Sequence, residues 1–153
     1  MYSSKSDEWE TPDDLFEELN NKFNFTLDPC ATHENAKCKK YYTKKDDGLS
    51  KSWEDEIVFV NPPYGRSIGK WVKKCYEESK HATVVILMPA RTDTSYFHDY
   101  IYNKADEIKF LRGRLKFKNR LLPSYQENGD YKLSPAPFPS MIVVYYNKKA
   151  RES

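Results

Sequence analysis

The chain lacks the features that mark membrane-spanning, secreted and repetitive proteins. No apolar run approaches the roughly 20 residues that a membrane-spanning helix needs. Residues 1–8 are polar and contain no apolar signal core, so we expect an intracellular protein without a membrane partner. No internal repeat is present. With 153 residues, the simplest organisation is one domain over 11–146, between a polar lead-in (1–10) and a charged tail (147–153).

Cysteine is scarce, with only Cys30, Cys38 and Cys75. Three thiols cannot form a closed disulfide framework, and they fit a reducing compartment. Cys30, His33 and Cys38 resemble part of a zinc site, but a fourth ligand and a standard spacing are missing. We therefore predict no metal site. Cys75 falls on an apolar helical face, which favours a place in the core.

Acidic residues are absent from the stretch 109–120, which carries six basic residues although the net charge of the chain is only +2. Five of these cations recur at every second position: Arg112, Arg114, Lys116, Lys118 and Arg120. On an extended strand this period puts them on one face, with Leu115 and Phe117 on the other. Such a face suits the phosphates of a nucleic acid. The alternative is a solvated edge strand whose charges discourage strand addition.

Three helices are predicted from local patterns. Thr11 suits an N-cap and Pro12 the first helical position, and an apolar stripe at four-residue spacing begins at Leu15. A second amphipathic pattern covers 68–76, and a third helix is expected over about 94–103.

Apolar runs between these helices predict strands at 25–28, 57–60, 83–88, 107–111, 115–117 and 141–146. The alternation of strand and helix indicates an α/β fold with a central, mostly parallel sheet. Residues 30–52 are expected to form a polar loop with one short helix. Residues 122–139 carry four prolines and Gly129, which is typical of a long irregular loop.

The most informative motif is Asn61-Pro62-Pro63-Tyr64, directly after the apolar strand 57–60. The prolines fix the backbone and remove N–H donors, which leaves the Pro62 carbonyl available as an acceptor. An exocyclic amino group could donate one hydrogen to the Asn61 side-chain oxygen and the other to that carbonyl. Tyr64 could stack on the heterocycle that carries the amine. The alternative, an exposed Pro-Pro-Tyr ligand, fits a flexible polar stretch better than the end of a strand.

Ligands of such a sheet bind beyond the carboxyl ends of its strands. Asp28 and Asn61 each end a predicted strand, and Arg91 follows the strand over 83–88. We expect these three residues to meet at one edge, as a site for two substrates requires.

Six segments in this order resemble the phage-type DNA N6-adenine methyltransferases, over most of the chain from Trp9 to Tyr146. They are Thr11-Pro12, Leu27-Asp28-Pro29-Cys30-Ala31, Asp46-Asp47-Gly48-Leu49, Asn61-Pro62-Pro63-Tyr64-Gly65, Pro89-Ala90-Arg91-Thr92-Asp93-Thr94 and Arg112-Gly113-Arg114-Leu115-Lys116-Phe117. The resemblance implies a Rossmann-like methyltransferase fold, S-adenosylmethionine as methyl donor without a metal, and adenine in DNA as acceptor. It also implies a cytoplasmic place in a bacterial or phage-infected cell. We expect a monomer or weak dimer.

The resemblance implies roles for individual residues. Asn61, Pro62, Pro63 and Tyr64 match the catalytic motif, and Asn61 also borders the cofactor. The implied cofactor-binding residues are Thr11, Pro12, Asp28, Cys30 and Asp47, with Thr11 and Pro12 at the methionine end and Asp47 at the adenine. The implied DNA-binding residues are Arg91, Arg112, Arg114, Lys116, Lys118 and Arg120. The target adenine would be flipped out of the duplex.

One departure leaves alternatives open. Many amino-methyltransferases have a glycine-rich turn after the first strand, where this chain has Pro29-Cys30-Ala31-Thr32. A DNA-binding relative that lost the cofactor would explain the departure. An RNA adenine or a protein glutamine also presents a planar amino group, so these acceptors remain alternatives to DNA. The loop 122–139 is the candidate segment for reading the target sequence.

Overall fold

The fold is built on a six-stranded sheet. The computed structural model describes residues 9–118 and 133–151. In chain order the strands are β1 (Leu27–Asp28), β2 (Lys40–Tyr41), β3 (Ile57–Val60), β4 (Thr83–Pro89), β5 (Glu107–Phe110), β6 (Lys116–Lys118), β7 (Leu133–Pro135) and β8 (Ser140–Tyr145). The main sheet has the order β2-β1-β3-β4-β8-β5, and β6 pairs with β7 in a separate two-stranded sheet.

The main sheet is parallel over its first four strands. β1 pairs in parallel with β2 and β3, and β3 with β4, whereas β8 lies antiparallel between β4 and β5. This order confirms the predicted α/β fold with a mostly parallel sheet. The carboxyl ends of β1, β3 and β4 therefore share one edge.

Helices cover the sheet at several points. They are α1 (Asp13–Phe23), a 3₁₀ turn at Gly48–Ser50, α2 (Ile68–Glu78), a π-helix at Phe97–Ile101 and α3 (Lys148–Arg151). The helix predicted from 68 is confirmed, whereas the one expected over 94–103 is reduced to the short π-helix. Within residues 9–118 and 133–151, no helix has the length and apolar character needed to cross a bilayer.

The start of α1 differs from the prediction. The helix begins at Asp13, and Pro12 occupies the N-cap position with extended backbone (φ −58°, ψ 138°) and no side-chain capping bond. The Thr11 hydroxyl does not cap the helix, since the N-cap position falls on Pro12; it accepts a hydrogen bond from the Asn61 side chain instead. Asp13 and Asp14 still place negative charge in the first turn, where it favours the helix.

Two short strands were not predicted. β2 lies within the polar stretch 30–52, and β7 lies within 122–139, which was expected to be irregular throughout. Each strand is only two or three residues long, so neither carries a detectable alternation. Their places come from pairing with β1 and β6. Residues 119–132, most of that predicted loop, are outside the described part of the chain.

The core has two layers, one on each face of the sheet. Successive residues of β3 alternate between them: Val58 and Val60 pack with α2, whereas Phe59 packs with α1 and β6. All three are essentially inaccessible to solvent. Burying a valine or phenylalanine in this way stabilises a fold by about 1.5–3 kcal/mol. The central strands therefore form a rigid base for the residues at their carboxyl ends.

Candidate active site

The predicted site residues meet at the carboxyl edge of the sheet. Asp28 is the last residue of β1, and Asn61 follows the last residue of β3. β1 and β3 are parallel neighbours, with Leu27 opposite Val58. Arg91 follows β4 two residues beyond its end and is exposed. The topology thus places the three strand ends at one edge; Asp28 and Asn61 line the same cavity there, whereas Arg91 does not line it.

The Asn61 carboxamide is held through all of its polar atoms. Its Nδ2 donates to the Trp9 carbonyl and, over 3.0 Å, to Thr11 Oγ1. Its Oδ1 accepts from the Tyr64 hydroxyl over 2.6 Å. The carbonyl oxygen has two lone pairs, so it can accept one further hydrogen from a substrate amine.

The Tyr64 side chain lies in an aromatic cluster beside Asn61. Its ring meets Phe138 edge-on at 5.4 Å between centroids and Phe117 at 6.2 Å. Its hydroxyl is also 3.2 Å from the Leu87 carbonyl, the second acceptor for the single phenolic proton. Burial raises the pKa of Tyr64 well above its usual value, so the phenol stays protonated and remains a donor.

A cavity of about 190 Å³ opens beside the Asn61 motif. Of the predicted cofactor-binding residues, five line it: Thr11, Asp28, Cys30, Asp47 and Asn61. Pro12 is buried next to Thr11 but does not line the cavity. Pro62 and Pro63 form part of the wall, so three of the four catalytic-motif residues share one space with the predicted cofactor residues, whereas Tyr64 does not line it.

Further residues line the cavity that the sequence did not identify. They are Trp9, Glu10, Pro29, Ala31, Thr32, Asn35, Lys37, Thr43, Lys44, Gly48, Phe59 and Trp71. Most come from the polar stretch 30–52, which folds over the end of β1. A polar segment of this length inside a compact domain was the available signal, since such segments are usually functional.

Asp28 is a buried carboxylate at the end of β1, with 4% of its surface exposed. It accepts hydrogen bonds from the backbone N–H groups of Cys30 (3.3 Å) and Lys37 (3.0 Å). Desolvation outweighs these bonds and raises the pKa of Asp28 to about 6. Near neutral pH the group is therefore mostly ionised, and a cation that enters the cavity would be attracted to it.

The segment around Asp47 closes the cavity through a tight backbone contact. Asp47 has left-handed backbone (φ 59°), a conformation that Asp tolerates. The following Gly48 packs so closely on β1 that a Cβ there would lie 2.1 Å from the Pro29 carbonyl oxygen. The Gly48 carbonyl in turn accepts from Nε1 of the fully buried Trp53 over 3.1 Å. Only glycine allows these two cavity walls to approach in this way.

The cavity fits the S-adenosylmethionine that the sequence resemblance implies. A buried carboxylate, Asp28, suits the cationic amino group of its methionine part. The rings of Trp9, Phe59 and Trp71 give the wall an apolar component that suits a nucleoside. The glycine at position 48 allows the Asp47 segment to pack directly against Pro29 at the cavity wall.

The basic stretch lies next to this site. Phe117 is fully buried and contacts Tyr64, whereas the neighbouring Lys116 is exposed, as the predicted alternation requires. Arg112 and Arg114 are also exposed, but they precede β6, and the backbone bends at Arg112 and Gly113, where Gly113 has φ 73°. The predicted single strand face therefore does not extend to these two arginines. The side chain of Lys118 and the whole of Arg120 fall outside the described residues.

In the described ranges 9–118 and 133–151, no cluster of three or more histidine, cysteine or acidic side chains could hold a metal ion. Cys30, His33 and Cys38 do not form such a group. His33 instead contacts the Tyr41 hydroxyl through Nδ1 at 2.6 Å. Cys75 is fully buried in the core, as predicted.

Comparison with solved structures supports the fold. The chain superposes on a structure from Pyrococcus horikoshii, described as a "putative RNA methyltransferase", with a TM-score of 0.57. The alignment covers 96% of this chain and 90% of the other, at 12% identity. At this identity the match shows a shared methyltransferase-type, Rossmann-like fold and carries no information on substrate.

Sequence comparisons identify the family. The chain is 32% identical over 105 residues to the DNA N-6-adenine-methyltransferase of Escherichia phage T1, a match covering 67% of this chain but 44% of that protein. It is 29% identical over 148 residues to the enzyme of the same name from Haemophilus phage HP1, covering 95% and 82% of the two chains. The family model for DNA N-6-adenine-methyltransferase (Dam) matches residues 1–153. The chain therefore belongs to the DNA N6-adenine methyltransferase family.

Proposed function

We propose that this chain transfers a methyl group from S-adenosylmethionine to the exocyclic N6 amine of adenine in DNA. The observation that carries the proposal is the Asn61 carboxamide, held beside the cavity with its Oδ1 able to accept another hydrogen bond. Family membership supports DNA as the acceptor.

The cofactor supplies an electrophilic methyl group on a positively charged sulfur. Asp28 would bind its cationic amino group and Asp47 its adenine, while Thr11 and Cys30 complete the surrounding wall and Pro12 supports Thr11 from behind it. This assignment is supported by the cavity, which Thr11, Asp28, Cys30, Asp47 and Asn61 line, with Pro12 buried next to Thr11. The wall would fix the donor in place, which is the main contribution that positioning makes to such a transfer.

Asn61 would accept a hydrogen from the adenine amine, together with the Pro62 carbonyl. Accepting these hydrogens would favour a tetrahedral nitrogen whose lone pair is free of the ring and available to the methyl group. As the new N–C bond formed, the bond from the methyl group to sulfur would break and leave a neutral thioether, and the amine would lose one proton to solvent. Tyr64, partly exposed beside Asn61, is the proposed stacking partner of the base. Pro63 shapes the wall between them.

The target adenine must leave the duplex to reach this edge, at a cost of a few kcal/mol. Phosphate contacts would offset part of that cost. The proposed contacts are Arg91, Arg112, Arg114, Lys116, Lys118 and Arg120; the first four are exposed. The loop 122–139 is the proposed segment for sequence reading. We further propose a monomer or weak dimer in the cytoplasm of a bacterial or phage-infected cell.

The acceptor can be tested by competition. Unmethylated duplex DNA, RNA and a glutamine-containing peptide would be mixed with labelled S-adenosylmethionine and the purified protein. We expect label in DNA alone, and N6-methyladenine after digestion to nucleosides. Label in RNA or peptide would contradict DNA as acceptor, and cofactor binding without any transfer would favour a non-catalytic relative.

A further inference from the structure

Thr11 combines a buried hydroxyl with a bond that its predicted roles do not explain. The residue is 2% exposed, precedes α1 without capping it, and lines the cavity. Its Oγ1 lies 3.0 Å from Asn61 Nδ2. The contact joins positions 50 residues apart in the chain, so the fold, and not local geometry, brings the two side chains together.

The surroundings of Asn61 fix which way its carboxamide points. The Trp9 carbonyl can only accept a hydrogen bond, so the carboxamide atom facing it must be the NH₂ group. The second hydrogen of that NH₂ is directed at Thr11 Oγ1. The opposite atom, Oδ1, then necessarily faces the Tyr64 hydroxyl, which donates to it.

The orientation decides whether the site can accept a substrate amine. In the observed orientation, Oδ1 accepts from Tyr64 and keeps one lone pair that can accept a hydrogen from the amine. With the group turned over, an NH₂ would face another NH₂, and the Trp9 carbonyl would face an oxygen. Both contacts would be repulsive, so the turned state would be unproductive.

From this geometry we infer that Thr11 is a positioning residue for methyl transfer, whose hydroxyl, together with the Trp9 carbonyl, holds Asn61 Oδ1 toward the substrate amine. The inference rests on the proposed function. It differs from a role in cofactor binding because it predicts an effect on the transfer step and on Asn61 itself.

The test compares Thr11→Val, which keeps the shape but removes the acceptor, with Thr11→Ser, which keeps the acceptor. We expect Thr11→Val to lower kcat about 10- to 100-fold, the scale of a misplaced reacting group. The KM for S-adenosylmethionine should change by less than about threefold. Thr11→Ser should recover kcat to within about threefold of the native protein.

A spectroscopic signature separates this role from general loss of structure. In ¹⁵N-labelled protein, the Asn61 side-chain amide is assigned by its absence in Asn61→Ala. In Thr11→Val we expect one of the two Asn61 amide protons to shift upfield and to exchange faster with solvent. In Thr11→Ser we expect its chemical shift and exchange rate to return to the native values. This readout does not depend on activity, so it remains informative if the native protein methylates nothing, a result that would refute the proposed function separately.

Thr83→Val is the matched control. Thr83 Oγ1 also accepts from an N–H, that of Asn147 over 3.1 Å, but at the amino end of β4, away from the site. We expect native kcat and an unchanged Asn61 amide signal in this variant.

If Thr11→Val fails to fold, Thr11→Cys, a weak acceptor of similar size to serine, replaces it in the same comparison. Native kcat in the folded variant, an unchanged Asn61 amide, or a loss confined to the KM for cofactor would overturn the inference.

Discussion

At the scale of single residues, the site depends on polar groups whose partners leave them little freedom. The two oxygens of Asp28 accept backbone N–H groups from the segment that folds over the cavity. This carboxylate therefore has a structural task as well as its proposed contact with the cofactor. Its burial makes the proposed contact sensitive to pH.

The pKa of Asp28, raised to about 6, predicts a pH dependence of cofactor binding. Protonation removes the charge that would attract the cationic amino group, so affinity should fall up to tenfold per unit as pH drops below about 6. Titration calorimetry with S-adenosylhomocysteine between pH 5 and 7.5 measures this. In Asp28→Asn we expect weaker binding that no longer falls as the pH drops below about 6. The same fall in affinity in this variant would show that another group causes the pH dependence.

The same shift has the opposite consequence for the stability of the cofactor-free protein. The folded state holds the Asp28 proton more tightly than the unfolded chain does, whose pKa is the ordinary 3.8. The stability from this group is therefore fully present below pH 3.8 and is lost as pH rises through about 6. A bound cation would offset that loss, so stabilisation by the cofactor should be greater at pH 7.5 than at pH 5.

At the scale of elements, the cavity depends on the close approach of the Asp47–Gly48 turn to the end of β1. Gly48→Ala would place a Cβ 2.1 Å from the Pro29 carbonyl oxygen, so the two backbones must separate. We expect a loss of about 1–3 kcal/mol in the free energy of unfolding and weaker cofactor binding. Urea unfolding and calorimetry provide the two measurements.

Gly69→Ala is the control for that substitution. Gly69 lies in α2, where the nearest atom to an added Cβ would be Tyr96 Cδ2 at 3.6 Å, an ordinary contact. Alanine is the better helix former by up to about 1 kcal/mol, so we expect unchanged or higher stability. Native cofactor affinity in Gly48→Ala would show that the tight turn does not shape the site.

The elements that the sequence predicted well are those with a strong hydrophobic period. β3, β4, β8 and α2 bury continuous apolar runs or stripes, and their bounds lie within two residues of the prediction. The pattern of a polar residue at the end of an apolar strand also placed Asp28 and Asn61 correctly at the carboxyl edge of the sheet. These features depend on local sequence alone.

The features of the site that the sequence did not predict depend on contacts between segments that are distant in the chain. From the sequence, the Thr11 hydroxyl is expected to cap the following helix. Only the folded structure shows that it accepts a hydrogen bond from the Asn61 side chain. The stretch 30–52 has no strong period, so its wrapping over β1 was not foreseen. The sequence does not show why position 48 must be glycine, because the restriction comes from the backbone of Pro29, which directly follows β1.

At the scale of the whole molecule, the charges relevant to DNA are local, since the net charge is only +2. Lys116 is exposed on β6, beside the buried Phe117 that contacts Tyr64. We expect Lys116→Ala to weaken DNA binding and reduce the slope of log K against log salt by about 1. Fluorescence anisotropy at several salt concentrations measures the slope.

Lys73→Ala serves as the comparison for Lys116. Lys73 is also exposed but lies on α2, which packs on the opposite face of the sheet from Phe117. We expect this variant to keep the native slope. Equal effects of the two substitutions would mean that DNA does not bind preferentially on the face that carries Lys116.

The central claim is that Asn61 activates the adenine amine. The most direct measurement is single-turnover methylation of duplex DNA by the native protein and by Asn61→Ala, with cofactor affinity measured in parallel. Asn21→Ala, a substitution on the exposed side of α1, is the control. We predict N6-methyladenine from the native and control proteins, a loss of at least about 10²- to 10³-fold in Asn61→Ala, and similar cofactor affinity in all three. Methylation by Asn61→Ala at the native rate would contradict the account.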